Sequence, residues 1–437
     1  MSARSGRLKR NFLVLSKMVL HIIGAGPTGI AIAWNKVHTN EEVHIWEKRD
    51  LPGGSWWTAD FSQFADRHAP RLLFPSSQPN WTGLLMDMNL EYTKYYEPKD
   101  GVISAFIKAV VKSFKFVDYI VIVGMILQVG INSAWAKRTS VRDAVKGPLS
   151  TSAEEMVSTL TVGIDGVQWD RMTMWELFES INRTVTTAPW TEKVQGRYLG
   201  HDIYHRLREA GVHLHMNRKL ERISMPRVYF SKGESITLNS PEDRIVLCLD
   251  AAASIPYLRL YWEPGVADGL SQHIYGCRSF LFQYSNRFEI PPAPETLQKS
   301  GNAFIIEWVP GKDTTVLYVG DYNSSWKSVE HVVETLGIPE PDSWRECEDT
   351  ADMSSAIWSL NGVPTQSNHP QLHMVGMMSP RDTPYASVEA AAEVGLRWCG
   401  ERPREPFKGT TLAFMMVIFS LLLIIYNDET RLKVVTI

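Results

Sequence analysis

The chain has 437 residues, of which 44% are hydrophobic, and its 45 basic residues nearly balance its 48 acidic ones. This length allows two or three domains that each bury a core, and the near-neutral charge gives no basis for binding a nucleic acid. The four cysteines form no CxxC pair, so neither a metal site nor a disulfide framework is predicted. Residues 1–18 read as a basic N-terminal arm that lacks the apolar core of a secretory signal.

The first regular elements predict a βαβ unit that binds a dinucleotide. Residues 19–23 are an apolar strand, residues 24–29 read Gly-Ala-Gly-Pro-Thr-Gly, and residues 43–46 form a second strand that ends at Glu47. In such a unit the glycine-rich turn holds the pyrophosphate, and an acid at the end of the second strand binds the ribose. We therefore expect the carboxylate of Glu47 to accept hydrogen bonds from ribose hydroxyls.

The residues of the glycine-rich turn have separate expected roles. Gly24 allows a tight turn, Gly26 lets the backbone approach a pyrophosphate, and Gly29 lets the next helix pack closely on the strand. The helix that begins at Pro27 and Thr28 points its free N–H groups and the positive end of its dipole toward the phosphates. On its own, this motif is compatible with NAD, NADP or FAD.

A glycine doublet beyond the second strand narrows the choice of cofactor. Lys48 follows the acid, and Gly53 and Gly54 come next in the turn, with Ser55 after them. Together with the motif, these residues resemble the N-terminus of FAD-dependent oxidoreductases of the flavin amine oxidase, phytoene desaturase and protoporphyrinogen oxidase superfamily. The resemblance implies that this turn contacts FAD, although many members carry Arg where Ser55 stands. Flavin monooxygenases are also similar at the doublet, but they carry a second GxGxxG loop that this chain lacks.

A second resemblance to the same superfamily lies near the other end of the chain. Residues 372–376 read as a strand that ends at Gly376, and a helix rich in small residues begins at Val388. In the flavin amine oxidases, a strand and a helix of this kind close the FAD site, with the helix N-terminus toward the flavin ring. Some relatives tether FAD through a cysteine before the closing strand. Residues 354–373 contain none, so we expect non-covalent FAD.

These segments predict an α/β fold in which a three-layer, Rossmann-type FAD-binding domain is interleaved with a mixed α+β substrate domain. The predicted FAD-binding segments are 19–100, 196–250 and 346–400, and the substrate-domain segments are 101–195, mostly helical, and 251–345.

The resemblance implies an FAD-dependent oxidoreductase of the oxidase or desaturase type. Such an enzyme transfers hydride from an amine or a lipophilic small molecule to N5 of the flavin. The sequence singles out no catalytic residue. Three alternatives stay open on the same fold: a flavin monooxygenase, a redox-neutral FAD isomerase, and a non-catalytic lipid-escort protein.

Two histidines on one predicted strand raise a metal-binding alternative. His213 and His215 alternate, so their side chains lie on the same face of the strand. Without a third ligand nearby in sequence, a solvent-facing pair is the preferred interpretation, and no metal site is predicted.

The last part of the chain predicts a membrane location. Residues 409–426 carry no charge, and at about 1.5 Å per residue they just span a hydrocarbon core of roughly 30 Å. Basic residues precede this segment and acidic ones follow it, which predicts a single-pass C-terminal transmembrane anchor with the catalytic domain facing the cytoplasm. A shorter apolar stretch, 119–127, is expected to be a helix of the substrate domain, with a helix on the membrane surface as the alternative.

Overall fold

The computed structural model describes residues 18–39, 41–54, 72–73, 78–90, 93–95, 102–165, 168–185, 193–195, 199–272, 274–276, 278–291, 295, 303–310, 315–321, 329–346, 354–356, 362–384 and 387–405. The basic arm, apart from Met18, and residues 409–426 lie outside these ranges.

The strands, in chain order, are β1 (Val19–Ile23), β2 (Glu42–Trp46), β3 (Leu72–Leu73), β4 (Thr93–Tyr95), β5 (Lys193–Gln195), β6 (His213–His215), β7 (Leu220–Ser224), β8 (Arg227–Phe230), β9 (Ser235–Thr237), β10 (Arg244–Leu247), β11 (Ile274–Gly276), β12 (Arg278–Tyr284), β13 (Ala303–Pro310), β14 (Thr315–Asp321), β15 (Ser343–Glu346), β16 (Ser354–Ala356) and β17 (Leu372–Met374).

The helices are α1 (Pro27–Val37), α2 (Pro79–Asp87), α3 (Val102–Ser113), α4 (Phe116–Ile131), α5 (Ser133–Ala136), α6 (Val141–Val145), α7 (Thr151–Asp165), α8 (Met174–Ser180), α9 (Leu199–Glu209), α10 (Ala251–Tyr261), α11 (Val266–Ser271), α12 (Val329–Leu336) and α13 (Val388–Trp398). A π-helical turn, Ile181–Val185, continues α8.

A five-stranded parallel sheet in the order β17-β10-β1-β2-β6 forms the centre of the fold. Its strands come from three separate stretches of the chain, and the fold therefore depends on contacts between residues far apart in sequence. The predicted Rossmann-like parallel sheet is confirmed. The domain boundaries themselves stay a prediction.

The central sheet is buried on both faces, as parallel sheets are in α/β proteins. On one face, Leu20 and Ile22 of β1 belong to a core shared with α1, α9 and α13. On the other face, Ile23 belongs to a core shared with the antiparallel sheet β7-β8-β9 and with α10. Because successive side chains of β1 point to opposite faces, the strand contributes apolar residues to both cores. The fold therefore has three layers: helices, the parallel sheet and the antiparallel sheet.

The segments between the strands of the central sheet build two further units. Helices α4, α6, α7 and α8 share one apolar core, which includes Met125, Val145 and Val157. Strands β12 to β15 form a four-stranded antiparallel sheet whose core side includes Phe282, and α12 packs there through Val332. The apolar stretch 119–127 lies within α4, where Tyr119 and Ile126 are buried.

The predicted membrane localisation is contradicted. Among the described residues, no helix is long and apolar enough to cross a bilayer. Helix α4 is strongly apolar, but its 16 residues span only about 24 Å at 1.5 Å per residue, against a hydrocarbon core of about 30 Å. Residues 409–426, on which the prediction rested, lie outside the described ranges, and the single-pass C-terminal anchor facing the cytoplasm is withdrawn.

Candidate cofactor site

The site lies at the carboxyl edge of the central sheet, where four strands end side by side. Backbone hydrogen bonds continue past these ends: Gly24 donates to Trp46 O at 2.8 Å, and Cys248 donates to Ile23 O at 2.8 Å. Val375 donates to Leu247 O at 2.9 Å. The turns after β1, β2, β10 and β17 are therefore held together at one edge, which is where open α/β sheets bind ligands.

Close packing accounts for two glycines of the motif. Gly24 has φ of +107°, a conformation that side chains disfavour, and a Cβ there would lie 2.4 Å from Cys248 O. A Cβ on Gly29 would lie 2.1 Å from Gly24 O. Any larger residue at either position would push β1, α1 and β10 apart, so both glycines are required by the fold itself.

Gly26 differs from its two neighbours in the motif. Its backbone has φ of −72° and ψ of 178°, which any residue adopts. Among the described residues, none would lie within 4 Å of a Cβ on Gly26. Gly26 is also the N-cap of α1, and as a glycine it has no side chain with which to cap this helix. The free N–H groups of this helix N-terminus are suited to a phosphate group.

Glu47 lies at the end of β2 with its side chain buried, being 6% exposed. One carboxylate oxygen accepts a hydrogen bond from Ala25 N at 2.7 Å, and the other accepts from Arg49 N at 3.0 Å. Each carboxylate oxygen can accept a second hydrogen bond, so both keep capacity for a hydroxyl. The next residue, Lys48, is exposed.

The glycine doublet folds back onto the motif. Gly53 donates a hydrogen bond to Ala25 O at 2.8 Å. A Cβ on Gly54 would lie 2.9 Å from the Cα of Gly26, and Gly54 has φ of +57°. The doublet therefore covers the glycine-rich turn from the side of β2. Ser55, which follows, lies outside the described residues.

The C-terminal segments reach the same region. At Gly376, which follows β17, a Cβ would lie 2.7 Å from Met378 Sδ and 3.3 Å from Leu249 O. Val388, the first residue of α13, is 2% exposed. Thr28 Oγ1 donates a hydrogen bond to Ala391 O at 3.0 Å, which joins α13 directly to the first turn of α1.

A glycine sets the distance between α1 and α13. A Cβ on Gly395 would lie 2.9 Å from both Thr28 O and Ala31 Cβ. The small residues of α13 thus serve close packing against α1, and the N-termini of both helices lie on the same side of the sheet.

Glu389, in the first turn of α13, is a buried acid that the sequence did not single out. This carboxylate, 0% exposed, accepts hydrogen bonds from the backbone N–H groups of Asn80 and Trp81 and from the Asn80 side-chain amide. It therefore caps the N-terminus of α2. Burial raises the pKa of Glu389 to about 7, although the hydrogen bonds from Trp81 and Asn80 act in the opposite direction. A charged residue among alanines was the only sequence signal.

A second buried acid on α13 connects the central sheet to the helical unit. Glu393 accepts hydrogen bonds from the backbone N–H groups of Asp382 and Thr383, at 2.6 and 2.8 Å. The Arg183 guanidinium, 4% exposed, donates to Thr383 Oγ1 at 3.2 Å and to Asp382 O at 3.3 Å. The segment between β17 and α13 is thus fixed from both sides.

Two cysteines, Cys248 and Cys399, fall among the described residues, and both are free thiols. Burial raises the pKa of Cys248, and it raises that of Cys399 to about 12, so both stay protonated at neutral pH. A protonated, buried thiol is a poor nucleophile.

Comparison with known proteins finds a family match in the N-terminal part of the chain. Residues 22–87 match the family described as an NAD(P)-binding Rossmann-like domain. No curated protein shows significant sequence similarity to the chain.

Several solved structures share the architecture over most of the chain. An oxidoreductase from Methanosarcina mazei matches with a TM-score of 0.60 at 12% identity, covering 88% of this chain and 100% of that one. Putrescine oxidase bound to putrescine gives a TM-score of 0.59 at 13% identity, covering 88% and 98%. Cyclohexylamine oxidase from Brevibacterium oxydans gives 0.55 at 15% identity, also covering 88% and 98%. The fold that the motifs imply is confirmed: over most of its length this chain shares the fold of this oxidoreductase and of these two amine oxidases.

Proposed function

We propose that the chain is an FAD-dependent oxidoreductase that removes hydride from a small molecule, either beside an amine nitrogen or within a lipophilic chain. The observation that carries the proposal is Gly26. Its backbone is ordinary and a Cβ there would meet no described residue within 4 Å, so neither its conformation nor packing against the described part of the chain explains the glycine. Space for a ligand in front of the α1 N-terminus does explain it.

The residues at the sheet edge fit the dinucleotide part of FAD. The α1 N-terminus, with Pro27 and Thr28 in its first turn, would hold the pyrophosphate. The free lone pairs of Glu47 would accept the ribose hydroxyls. The doublet Gly53-Gly54 would cover the phosphates, since it already lies against Gly26.

The remaining predicted contacts extend the site on both sides. We propose that Lys48, which follows Glu47 beyond β2, contacts FAD, and the resemblance implies the same role for Ser55, which lies outside the described residues. Gly376 and Val388 would lie on the side of the flavin ring, where the α13 N-terminus adds its positive dipole end. FAD, when bound, supplies the two-electron acceptor, while these residues bind it, orient it and exclude water.

The positions and the protonation of the cysteines support non-covalent attachment of FAD. Residues 354–373 contain no cysteine, and Cys248, which follows β10 at the same sheet edge, has its pKa raised by burial. A protonated thiol does not form a flavin adduct readily. We therefore expect FAD to leave the protein on denaturation.

The absorption spectrum of the purified protein tests the proposal. We expect the two visible bands of an oxidised flavin, either as isolated or after reconstitution with FAD, and release of unmodified FAD on acid precipitation. Anaerobic bleaching by a panel of primary amines and lipophilic substrates, but not by NADPH, would distinguish an oxidase from a monooxygenase. A protein that takes up no flavin would exclude the enzyme and favour a carrier on the same fold.

A further inference from the structure

Four histidines meet on one face of the central sheet, on the strands β1, β2 and β6. His21, His44 and His213 stand at matching register positions on the adjacent strands β1, β2 and β6. His215 lies two residues further along β6, on the same face. Local sequence shows only the pair on β6. The sheet order places the other two histidines beside it.

An acidic side chain completes the cluster. Glu42, at the start of β2, has Oε1 at 2.9 Å from His44 Nε2. The ligand atoms of Glu42, His44 and His213 all lie within 4.8 Å of one another. On its other side, His44 Nδ1 lies 3.0 Å from His215 Nε2. The third ligand that the sequence could not supply for His213 is therefore present.

We propose that Glu42, His44 and His213 bind a divalent transition metal ion of the zinc class. Two imidazole nitrogens and one carboxylate oxygen are a donor set that Zn²⁺ accepts with bond lengths of about 2.0 Å. Ligand atoms around a tetrahedral ion of that size lie roughly 3.3 Å apart, so small rotations of the side chains would bring these three into place.

His215 acts as a positioning residue rather than as a ligand. When His44 binds the ion through Nε2, its Nδ1 is protonated. This N–H then donates a hydrogen bond to His215 Nε2, which lies 3.0 Å away. A hydrogen bond of this kind fixes the tautomer and the ring orientation of a ligating histidine. His21 is used otherwise, since its Nδ1 accepts a hydrogen bond from Trp46 Nε1 at 3.3 Å.

The position of the cluster gives an ion access. Strand β6 is the edge strand of the central sheet, and His213 is exposed while Glu42 and His44 are half-buried. A metal ion can enter from solvent at this edge, and a water molecule can fill the fourth coordination position. Bound there, the ion would link the three-residue strand β6 to β2.

The alternative to a bound metal ion is a set of hydrogen bonds among the same side chains. His44 Nε2–H can donate to Glu42 Oε1, while His44 Nδ1 accepts from His215 Nε2–H. That arrangement does not involve His213 and confers no affinity for a metal ion. Metal titration therefore separates the two.

The test uses the full-length protein after chelator treatment and dialysis, titrated with Zn²⁺ alone by calorimetry. We expect one saturable site per chain and a higher thermal midpoint in Zn²⁺, because an ion that binds only the folded state stabilises it. His213→Ala and Glu42→Gln should each weaken Zn²⁺ binding at least tenfold. His201→Ala, which removes an exposed histidine of α9, is the matched control and should leave binding unchanged.

Circular dichroism checks that both ligand variants are folded; Glu42→Gln is nearly isosteric, and His213 is exposed. The proposal is overturned by the absence of saturable Zn²⁺ binding, or by equal binding in His213→Ala, Glu42→Gln and His201→Ala. The titration is read without flavin, so its outcome is independent of the proposed oxidoreductase.

Discussion

The carboxylate of Glu389 accepts a hydrogen bond from the side-chain amide of Asn80 at 2.6 Å, across 309 residues of sequence. The first turn of α13 is thereby joined to the first turn of α2. Asn80 also holds the chain beyond α13, because its side-chain oxygen accepts from Arg404 N at 2.6 Å and its amide donates to Arg404 O at 3.1 Å. One buried carboxylate thus connects the N-terminal and C-terminal parts of the layered core.

Glu389→Gln should destabilise the fold. The amide nitrogen of Gln cannot accept a hydrogen bond, so one buried N–H group of Asn80 or Trp81 would lose its acceptor, at a cost of about 1–3 kcal/mol. Urea unfolding at pH 7.5 measures the change. Glu401→Gln, at an exposed position, should be neutral. A more stable Glu389→Gln would mean that burial of the charge outweighs its hydrogen bonds.

Gly26→Ala and Gly29→Ala should separate cofactor binding from folding. At Gly26 the added methyl group meets no described residue within 4 Å, so we expect near-native stability but FAD affinity lowered about tenfold or more, which is about 1.4 kcal/mol. At Gly29 it would lie 2.1 Å from Gly24 O, and stability should fall by about 2 kcal/mol or more. Flavin fluorescence titration and thermal unfolding measure the two effects. Unchanged FAD affinity in Gly26→Ala would remove the main support for the proposed site.

Gly395→Ala should force α13 away from α1. The new Cβ would lie 2.9 Å from Thr28 O, a backbone atom that cannot move alone, so we expect a loss of about 1–3 kcal/mol.

The matched change Gly124→Ala, on the exposed side of α4, should act in the opposite direction. A Cβ there meets no residue within 4 Å in the part of the chain that the structure describes, and alanine favours a helix interior over glycine by about 0.5–1 kcal/mol. Chemical denaturation of the two variants in parallel compares them. Equal effects of both substitutions would argue against close contact between α1 and α13.

His373 on β17 should make stability depend on pH. Burial and the nearby Arg244 lower the pKa of His373 to about 4, below the unfolded value of about 6.5. The unfolded chain therefore binds more protons between these values, so the contribution is complete above pH 6.5 and is lost as the pH falls toward 4.

Unfolding free energies at pH 7.5, 6.0 and 5.0 test this dependence. His373→Asn should show a shallower decline than the wild-type protein. Burial also lowers the pKa of His21 and His215 to about 4, so a reduced decline should persist in the variant. An unchanged slope in His373→Asn would show that His373 titrates alike in the folded and unfolded states.

Local sequence patterns predicted those parts of the fold that are determined by residues close together in the chain. The glycine spacing of 24–29 and the small residues of 388–395 predicted the turn and the packing helix, because steric demands act within a few residues. The pairing of Glu389 with Asn80 and the meeting of His44 with His213 follow from strand order and helix packing. No local pattern encodes that order, so the histidine pair on β6 could be recognised in the sequence while its partners on β2 could not. The membrane prediction was wrong: it rested on the hydropathy of residues 409–426 and on the charges beside them, whereas no helix of the described residues is long and apolar enough to cross a bilayer.

The placement of β17 and α13 also has a consequence for synthesis. The N-terminal βαβ unit ends near residue 46, but the helix that packs on α1 is complete only at Trp398. At translation rates of about 5–20 residues per second, the nascent chain waits roughly 18–70 s between these points. During that interval the apolar side of α1 lacks its final cover. The mature core thus forms only after Trp398 has been synthesised, and until then the uncovered apolar side of α1 is a surface that can aggregate.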